Sequence, residues 1–178
     1  MDKKELRTKL KTLRSQITPT DEAERIRNNF LKNVSLNSAS VIATYIPTQS
    51  ELNVDKLNRA LGYAGYKLCL PAIQENGTLL FREWNINTEL TANKFGILEP
   101  TEGLENITPD IIILPILGFN FAKYRLGYGG GYYDRTIINL PNALKIGVAY
   151  AAQEVKDSFQ QQHDVALDMI ITEEKIFL

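Results

Sequence analysis

The segment DIIILPIL, residues 110–117, restricts the fold of this chain more than any other feature. Every residue after its aspartate is apolar, so neither face of an extended strand here is suited to water. Such a run is typical of a central strand that other elements cover on both sides. The segment therefore predicts a buried strand in the middle of a sheet.

Strands and helices alternate along the rest of the chain. Apolar residues at helical spacing predict helices over 3–13, 20–34 and 53–66, and another that begins near Tyr132. Thr20, followed by acidic residues, is typical of a helix cap, and Pro47 and Pro71 are expected to end the first two strands. The predicted strands are 40–47, 67–73, 78–84, 110–117, 144–151 and 168–177. This order indicates a single α/β domain, residues 1–178, built as a sandwich on a largely parallel sheet.

Composition narrows the function. A formal net charge of -1 gives no electrostatic case for nucleic acid, so any polyanion bound must be small and held by local charge. No apolar segment is long enough to span a bilayer, and the basic N-terminus is unlike a secretory signal, so a cytoplasmic location is expected. Cys69, the only cysteine, lies in the apolar run YKLCLPA and is expected to be a buried thiol.

The segment RLGYGGGYYDR, residues 125–135, is the strongest functional signal. Glycines let backbone N–H groups approach a ligand, and the helix expected after them adds a partial positive charge. With Arg125 and Arg135 at its ends, the segment suits a phosphate group. It has neither the Gly-Lys-Ser/Thr ending of a P-loop nor the spacing of a dinucleotide-binding turn. A glycine-rich turn without a ligand is the alternative.

Carboxylates near this segment have two interpretations. Asp134 follows the glycines and suits Mg2+ beside a phosphate, although it equally suits the start of a helix. Asp164 and Asp168, before the last predicted strand, either supply a second carboxylate or cap a loop. His163, the single histidine, is expected to be incidental.

Three further groups of side chains also have two interpretations. Glu51 follows the first predicted strand and either binds N–H groups of a ligand or is a surface glutamate. Three tyrosines form either a stacking wall for a flat ring or part of the core, and they are Tyr128, Tyr132 and Tyr133. The first helix has a basic face, either phosphate-binding or only solvated, formed by Lys3, Lys4, Arg7 and Arg14.

Taken together, these features resemble one family over nearly the whole chain, the 5-formyltetrahydrofolate cyclo-ligases. The glycine segment with its YYD ending is the most specific part of the resemblance, and the basic N-terminal motif alone is weak. The segments that carry it are KKELR, YIPTQSE, FGILEP, PILGF, RLGYGGGYYDR and HDVALDMIITE.

The resemblance implies a ligase of one-carbon folate metabolism with a three-layer α/β/α fold. Such an enzyme makes 5,10-methenyltetrahydrofolate from 5-formyltetrahydrofolate, consumes ATP with Mg2+, and releases ADP and phosphate. The formyl oxygen is phosphorylated and the folate nitrogen N-10 closes the ring, so no side-chain nucleophile is needed. The expected partners are a reduced folate and ATP, without nucleic acid or membrane, and the expected state is a monomer or weak homo-oligomer.

The resemblance also assigns residues by motif. ATP would be bound by Lys3, Lys4, Arg7, Arg125, Leu126, Gly127, Tyr128, Gly129, Gly130, Gly131, Tyr132 and Tyr133. The folate would be lined by Ile46, Glu51, Tyr128 and Tyr132, with Phe95 and Glu99 at its pterin end. Magnesium would be held by Asp134 and Asp164.

One position departs from the family pattern, and two other functions remain open. After Phe119 the family often has aspartate, whereas this chain has Asn120, which is expected to lie in a supporting loop position. A sugar-phosphate isomerase or an acyl-CoA-type transferase would need a catalytic carboxylate or base but no ATP. A non-catalytic sensor would bind ATP without turning over a folate.

Overall fold

A computed structural model of the protein describes residues 2–161 and 164–178. Its helices are α1 (Lys3–Ser15), α2 (Glu22–Asn33), α3 (Asp55–Tyr63) and α4 (Tyr132–Ile137), with a short 3-10 helix at Ala151–Gln153. Its strands are β1 (Val41–Ala43), β2 (Lys67–Ile73), β3 (Leu79–Trp84), β4 (Leu90–Ala92), β5 (Leu98–Pro100), β6 (Ile111–Pro115), β7 (Gly118–Phe119), β8 (Arg125–Leu126), β9 (Leu144–Val148), β10 (Met169–Ile171) and β11 (Ile176–Phe177).

Seven of the strands in the described residues form one sheet, in the order β11-β10-β9-β6-β1-β2-β3. The inner strands from β10 to β2 are parallel, and the edge strands β11 and β3 are antiparallel to their neighbours. The apolar segment forms β6, which pairs with β1 on one side and β9 on the other. The predicted central strand and the largely parallel sheet are therefore confirmed.

Successive residues of β6 point to opposite faces of the sheet. Ile113 packs on one face with Phe30 of α2 and Leu57 of α3. Leu114 packs on the other face with Ile137 of α4. Each such side chain, once fully buried, contributes about 1.5–3 kcal/mol. Helices therefore cover both faces, and the predicted three-layer α/β/α sandwich is confirmed.

The first helix packs on a cluster of its own. Asp2 caps it, since its carboxylate accepts two backbone N–H groups of the first turn at 2.8 Å each. Leu6 and Leu10, four residues apart on one face of α1, pack against Leu126 of β8. A Cβ atom at Gly118 of β7 would collide with the end of the Leu10 side chain, so a larger residue there would displace Leu10. These contacts fix α1 against the β7–β8 hairpin.

The prediction that Pro71 ends its strand was wrong. β2 continues through Pro71, which pairs with Phe81 of β3. The Cys69 carbonyl accepts the Thr44 N–H from the β1 side, and backbone groups alternate along a strand, so the Pro71 nitrogen points to that same side. β1 has already ended there, at Ala43. A proline is tolerated because no N–H is needed.

Short elements were predicted less well than long ones. The predicted strand 168–177 is in fact the hairpin of β10 and β11, and the hairpins β4–β5 and β7–β8 were not predicted. Strand β1 is shorter than predicted, and α2 begins at Glu22, so Thr20 is not its cap. The Glu22 carboxylate instead accepts the backbone N–H of Thr20.

Two predictions from composition can be compared with the structure. Cys69 is fully buried in β2, and burial raises the pKa of its thiol to about 12, so the predicted buried thiol is confirmed. In the part of the chain that the structure describes, no helix has both the length and the apolar character needed to cross a membrane.

Candidate active site

The glycine segment follows the carboxyl end of the central strand. β6 ends at Pro115, the β7–β8 hairpin comes next, and residues 127–131, here called the glycine loop, connect β8 to α4. Loops that leave the carboxyl ends of parallel strands lie at one edge of the sheet, where open α/β sheets bind ligands. The topology therefore places the glycine loop where a ligand site is expected.

Steric limits explain why the loop contains so many glycines. Gly129 and Gly131 have φ angles of 106° and 69°, in the region that side chains rarely adopt. A Cβ atom at Gly130 would lie 2.8 Å from the Tyr132 ring, and one at Gly131 would lie 2.6 Å from the Arg135 guanidinium. Larger residues would change the path of this backbone or displace the side chains packed against it.

The first helix brings two predicted ATP-binding cations to this region. The Arg7 Nε donates to the Gly127 carbonyl at 2.9 Å. Lys3, one helical turn earlier, pairs through its Nζ with the Asp164 carboxylate at 2.6 Å. Helix α1 therefore contacts both the glycine loop and Asp164. Arg7 and Gly127 are 120 residues apart in sequence.

Both carboxylates that were predicted to hold magnesium are ion-paired in the structure. Asp134, with 45% of its side chain exposed, pairs with the buried Arg125 at 2.6 Å. Asp164 pairs with Lys3 and also accepts the backbone N–H of Gln161 at 2.8 Å. Among the described residues, no three or more His, Cys, Asp or Glu side chains are grouped to hold a metal. A metal at either aspartate would therefore need oxygen ligands from a bound molecule or from water.

Arg135 connects the glycine loop to the turn between β2 and β3. Its Nε donates to the Gly77 carbonyl at 2.8 Å, and its Nη2 donates to the Gly130 carbonyl at 2.9 Å. Its guanidinium also lies 5.4 Å from the centre of the Tyr132 ring. Two loops from different parts of the chain are thus held together by one side chain.

Glu51 lies in a cluster of tyrosines. Its carboxylate accepts the Thr48 N–H at 2.9 Å. Burial, and after it the negative charge of Glu51, raises the pKa of each of three tyrosines above the ordinary value: Tyr45, Tyr128 and Tyr133. All three hydroxyls therefore stay protonated at neutral pH and can donate hydrogen bonds. Sequence reasoning did not identify Tyr45, whose hydroxyl donates to the Leu52 carbonyl at 2.9 Å.

The remaining residues predicted to line the folate site occupy different places. Phe95 is exposed on the β4–β5 hairpin, and its ring lies 6.3 Å from the Tyr132 ring, edge to face. Ile46 is half-buried against the core face of α2 and α3. Glu99 accepts the N–H of Ile73 at 3.3 Å, so β2 holds it. Phe95 thus contacts Tyr132, the first residue of α4 after the glycine loop, whereas Glu99 bonds to β2.

Three other candidates make no hydrogen bond or ion pair to the glycine loop among the described residues, and a fourth lies outside those residues. Lys4 is exposed, and none of the described residues offers its ammonium group an acceptor. Asp168 accepts the backbone N–H of Lys145, inside β9, at 2.7 Å, so it bonds to a strand and neither predicted role is shown. Asn120 lies in the β7–β8 turn, where its side-chain oxygen accepts the backbone N–H of Tyr124. Its side-chain amide donates to Gln160 at 2.9 Å, and an ionised aspartate could not make that second bond. His163 lies outside the described residues.

Arg14 is the residue whose importance sequence reasoning missed. It was grouped with the basic face of α1, yet the structure buries it to 2% exposure. Its Nε donates to the Ser50 hydroxyl at 3.1 Å, and its guanidinium lies 5.3 Å from the centre of the Tyr128 ring. The signal was present in the spacing, because Arg14 continues the buried stripe of Leu6 and Leu10 at intervals of four.

The fold and the glycine loop define a class of protein, an α/β sandwich with a cationic loop site at the carboxyl edge of its sheet. The family model of the 5-formyltetrahydrofolate cyclo-ligase family matches residues 1–173. The chain therefore belongs to that family, and the predicted class of enzyme is confirmed.

Individual relatives agree with this assignment. The chain is 28% identical to the 5-formyltetrahydrofolate cyclo-ligase of Haemophilus influenzae, with 93% of this chain and 94% of that one covered. It is 30% identical to the enzyme of that name from Escherichia coli, over 78% and 81% of the two chains.

Two solved structures share the fold. The 5,10-methenyltetrahydrofolate synthetase of Aquifex aeolicus has a TM-score of 0.83 and 29% identity, over 99% of this chain and 92% of that one. The corresponding synthetase of Mycoplasma pneumoniae has a TM-score of 0.79 and 25% identity, over 97% and 99%.

Proposed function

We propose that this protein converts 5-formyltetrahydrofolate to 5,10-methenyltetrahydrofolate, with ATP and Mg2+ as the co-substrate and metal, and releases ADP and phosphate. The family supports the folate reaction. The observation that supports ATP most directly is the contact of α1 with the glycine loop, where Arg7 donates to the Gly127 carbonyl at 2.9 Å. Phosphate groups bind where positively charged side chains lie beside backbone N–H groups that no side chain covers.

The chemistry requires a better leaving group than the formyl oxygen. In the proposed reaction this oxygen attacks the γ-phosphorus of ATP, so an O–P bond forms while the bond to ADP breaks. The folate nitrogen N-10 then attacks the formyl carbon and loses its proton. The new C–N bond closes the ring, and the carbon–oxygen bond breaks with phosphate as the leaving group. Phosphoryl transfer depends mainly on positioning and charge neutralisation, so no protein nucleophile is needed.

The positively charged side chains around the glycine loop indicate where ATP would bind. We assign the phosphates to Lys3, Arg7 and Arg125 together with the backbone of the glycine loop, and we keep the exposed Lys4 as a peripheral contact. Tyr133 and Leu126 shape the walls from the buried side. Each of these groups positions the transferred phosphoryl group or neutralises its charge.

Asp134 and Asp164 would hold the magnesium ion. Carboxylate oxygens suit Mg2+, which usually takes one or two of them and completes its shell with phosphate oxygens and water. Bound Mg2+ would neutralise phosphate charge during transfer. In the structure each aspartate is paired with a cation that we assign to ATP, Lys3 or Arg125. Binding would therefore exchange partners, with cations moving to phosphates as carboxylates move to the metal.

The folate half of the site lies on the other side of the loop. We assign it to Ile46, Glu51, Phe95, Tyr128 and Tyr132. Glu51 would accept N–H groups of the folate, and the rings of Tyr132 and Phe95 would stack on flat parts of the substrate. Glu99, which bonds to β2, stays a prediction, as do the cytoplasmic location and the monomeric or weakly associated state.

A spectrophotometric assay tests this function. Purified protein with 5-formyltetrahydrofolate, Mg2+ and ATP should produce the absorbance band of the methenyl folate, and the reaction without ATP should stay flat. Omitting Mg2+ gives the second control. Folded protein that binds ATP without producing the band would instead be a nucleotide sensor. A lack of ATP binding would show that the glycine loop is not a nucleotide site.

A further inference from the structure

We propose that Arg14 and Lys11 form an anion-binding subsite that receives the carboxylates at the glutamate end of the folate. The identity of the ligand rests on the proposed function, whereas the existence of the subsite rests on the geometry around Arg14. The subsite lies at the last turn of α1, against the residues that follow β1.

Arg14 is a buried cation that contacts no carboxylate of the described residues directly, and the nearby Glu51 reaches it only through the Tyr128 hydroxyl, which is hydrogen-bonded to both side chains. The Arg14 side chain is 2% exposed. None of the ion pairs among the described residues includes it. Its guanidinium has five N–H donors, and the acceptors it meets are the hydroxyls of Ser50 and Tyr128. Burial of a charge is costly unless an opposite charge compensates it, so an anionic ligand would complete this site.

A cavity opens beside this guanidinium. Its volume is about 430 Å3, and it is lined by Lys11, Thr12, Arg14, Ser15, Gln49 and Ser50. Within the described residues, every fully enclosed polar side-chain atom has a hydrogen-bond partner, and Arg14 is one of the residues that line this cavity. Gln49, another lining residue, has a φ angle of 53°, which is unusual for a residue other than glycine. Lys11 adds a second positive charge at the exposed rim.

The position of Arg14 favours a carboxylate over a phosphate. Arg7 and Arg14 are two helical turns apart, which is about 10 Å along the axis. Arg7 contacts the carbonyl of Gly127, whereas Arg14 contacts Tyr128 on the side of Glu51. The anion at Arg14 therefore belongs to the folate half of the proposed site, where the glutamate carboxylates are the charged groups. The planar guanidinium matches a carboxylate in a bidentate pair.

The Glu51 carboxylate does not compete for this position. It is held by the Thr48 backbone N–H at 2.9 Å and hydroxyl at 3.2 Å, and it is not among the residues that line the cavity. Glu51 and Arg14 are both hydrogen-bonded to the Tyr128 hydroxyl, so they are close to each other without an ion pair between them. One would recognise N–H groups of the folate and the other its carboxylates.

The test compares two ligands in titration calorimetry, with Mg2+ and a non-hydrolysable ATP analogue present. One ligand is 5-formyltetrahydrofolate and the other is 5-formyltetrahydropteroate, which lacks the glutamate. Arg14→Gln should weaken binding of the first ligand by about 10- to 100-fold, the range for a charge-assisted hydrogen bond. The same variant should leave binding of the second ligand and of the ATP analogue unchanged. Lys11→Gln should act in the same direction with a smaller effect, and Lys9→Gln is the matched control on α1.

Each result decides the matter. An equal effect on both ligands in Arg14→Gln, or no effect on either, would overturn the subsite and leave Arg14 a structural contact between α1 and the glycine loop. Weaker binding of the ATP analogue alone would overturn it in favour of a phosphate contact. If Arg14→Gln does not fold, the exposed Lys11→Gln decides by the same comparison. If the unchanged protein binds neither folate, both the subsite and the proposed function are wrong.

Discussion

The central sheet and the glycine loop are held by different interactions. In the sheet, side chains such as Ile113 and Leu114 are fully buried and pack on apolar neighbours from both faces. In the loop, arginines bind backbone carbonyls and a carboxylate, as Arg7, Arg125 and Arg135 do. Apolar burial is non-directional, whereas each of these hydrogen bonds has one geometry.

This difference separates stability from function. The core tolerates small shifts of its residues but depends on their volume, so a truncation there should reduce stability. The loop contributes little apolar burial and depends on the placement of a few donors, so a change there should reduce ligand binding or turnover at little cost in stability. Substitutions in the two regions can test whether the separation is real.

The largest expected effect is on the sheet. Leu114→Ala should lower the free energy of unfolding by about 2–5 kcal/mol, because a cavity replaces a fully buried side chain. Urea denaturation measures this, and turnover per folded molecule should stay unchanged. Leu31→Ala, at a position 45% exposed on α2, is the control and should have little effect. A loss of turnover in folded Leu114→Ala would show that core and loop are coupled.

The next effect concerns the proposed metal ligand. Asp134→Asn should reduce the Mg2+-dependent kcat/KM by about 100- to 1000-fold, the range for losing one electrostatic contact in a transition state. Stability should also fall, because asparagine still offers an oxygen to the buried Arg125 but no opposite charge, so kcat/KM is compared per folded molecule. Asp55→Asn, which alters an exposed ion pair on α3, is the control. Normal turnover of Asp134→Asn across a magnesium titration would exclude Asp134 from the metal site.

A smaller effect should follow from releasing the two loops that Arg135 joins. Arg135→Lys keeps the charge but cannot donate to the Gly77 and Gly130 carbonyls in the same arrangement. The KM for ATP should rise by about tenfold with a smaller change in kcat, since a positioning contact is lost. The melting temperature should change little, because the side chain is exposed. Arg59→Lys on α3 is the control, and an unchanged KM would show that the loop keeps its shape unaided.

The smallest effect concerns the reactivity of the buried Cys69 thiol. Burial raises the pKa of the Cys69 thiol to about 12, so at pH 8 the folded protein should hold almost no thiolate. Because the thiolate is the reactive form, a thiol reagent should not modify the native protein, and the reaction should appear when urea unfolds it. Fast modification of folded protein at pH 8 would mean that the sheet opens locally near β2.

Predictability followed the same division between core and loop. The strand around Ile113 and the helices of Phe30 and Leu57 were recognised because a long apolar pattern in the sequence indicates which residues are buried. The hairpins β4–β5 and β7–β8 were missed because two or three paired residues leave no periodic pattern. The glycine loop was recognised by composition, yet its shape depends on Arg7 and Gly77, which are 120 and 58 residues from their partners.

The sequence by itself determined the order of the elements, the buried central strand and the membership of a family, since each is written in local patterns and motifs. Only the tertiary structure decided that Asp134 and Asp164 are paired with cations, and that Arg14 lies buried beside a cavity. Contacts of that kind join side chains from distant segments. They depend on distances that exist only after the apolar core has brought the strand ends together, and no spacing along the chain encodes them.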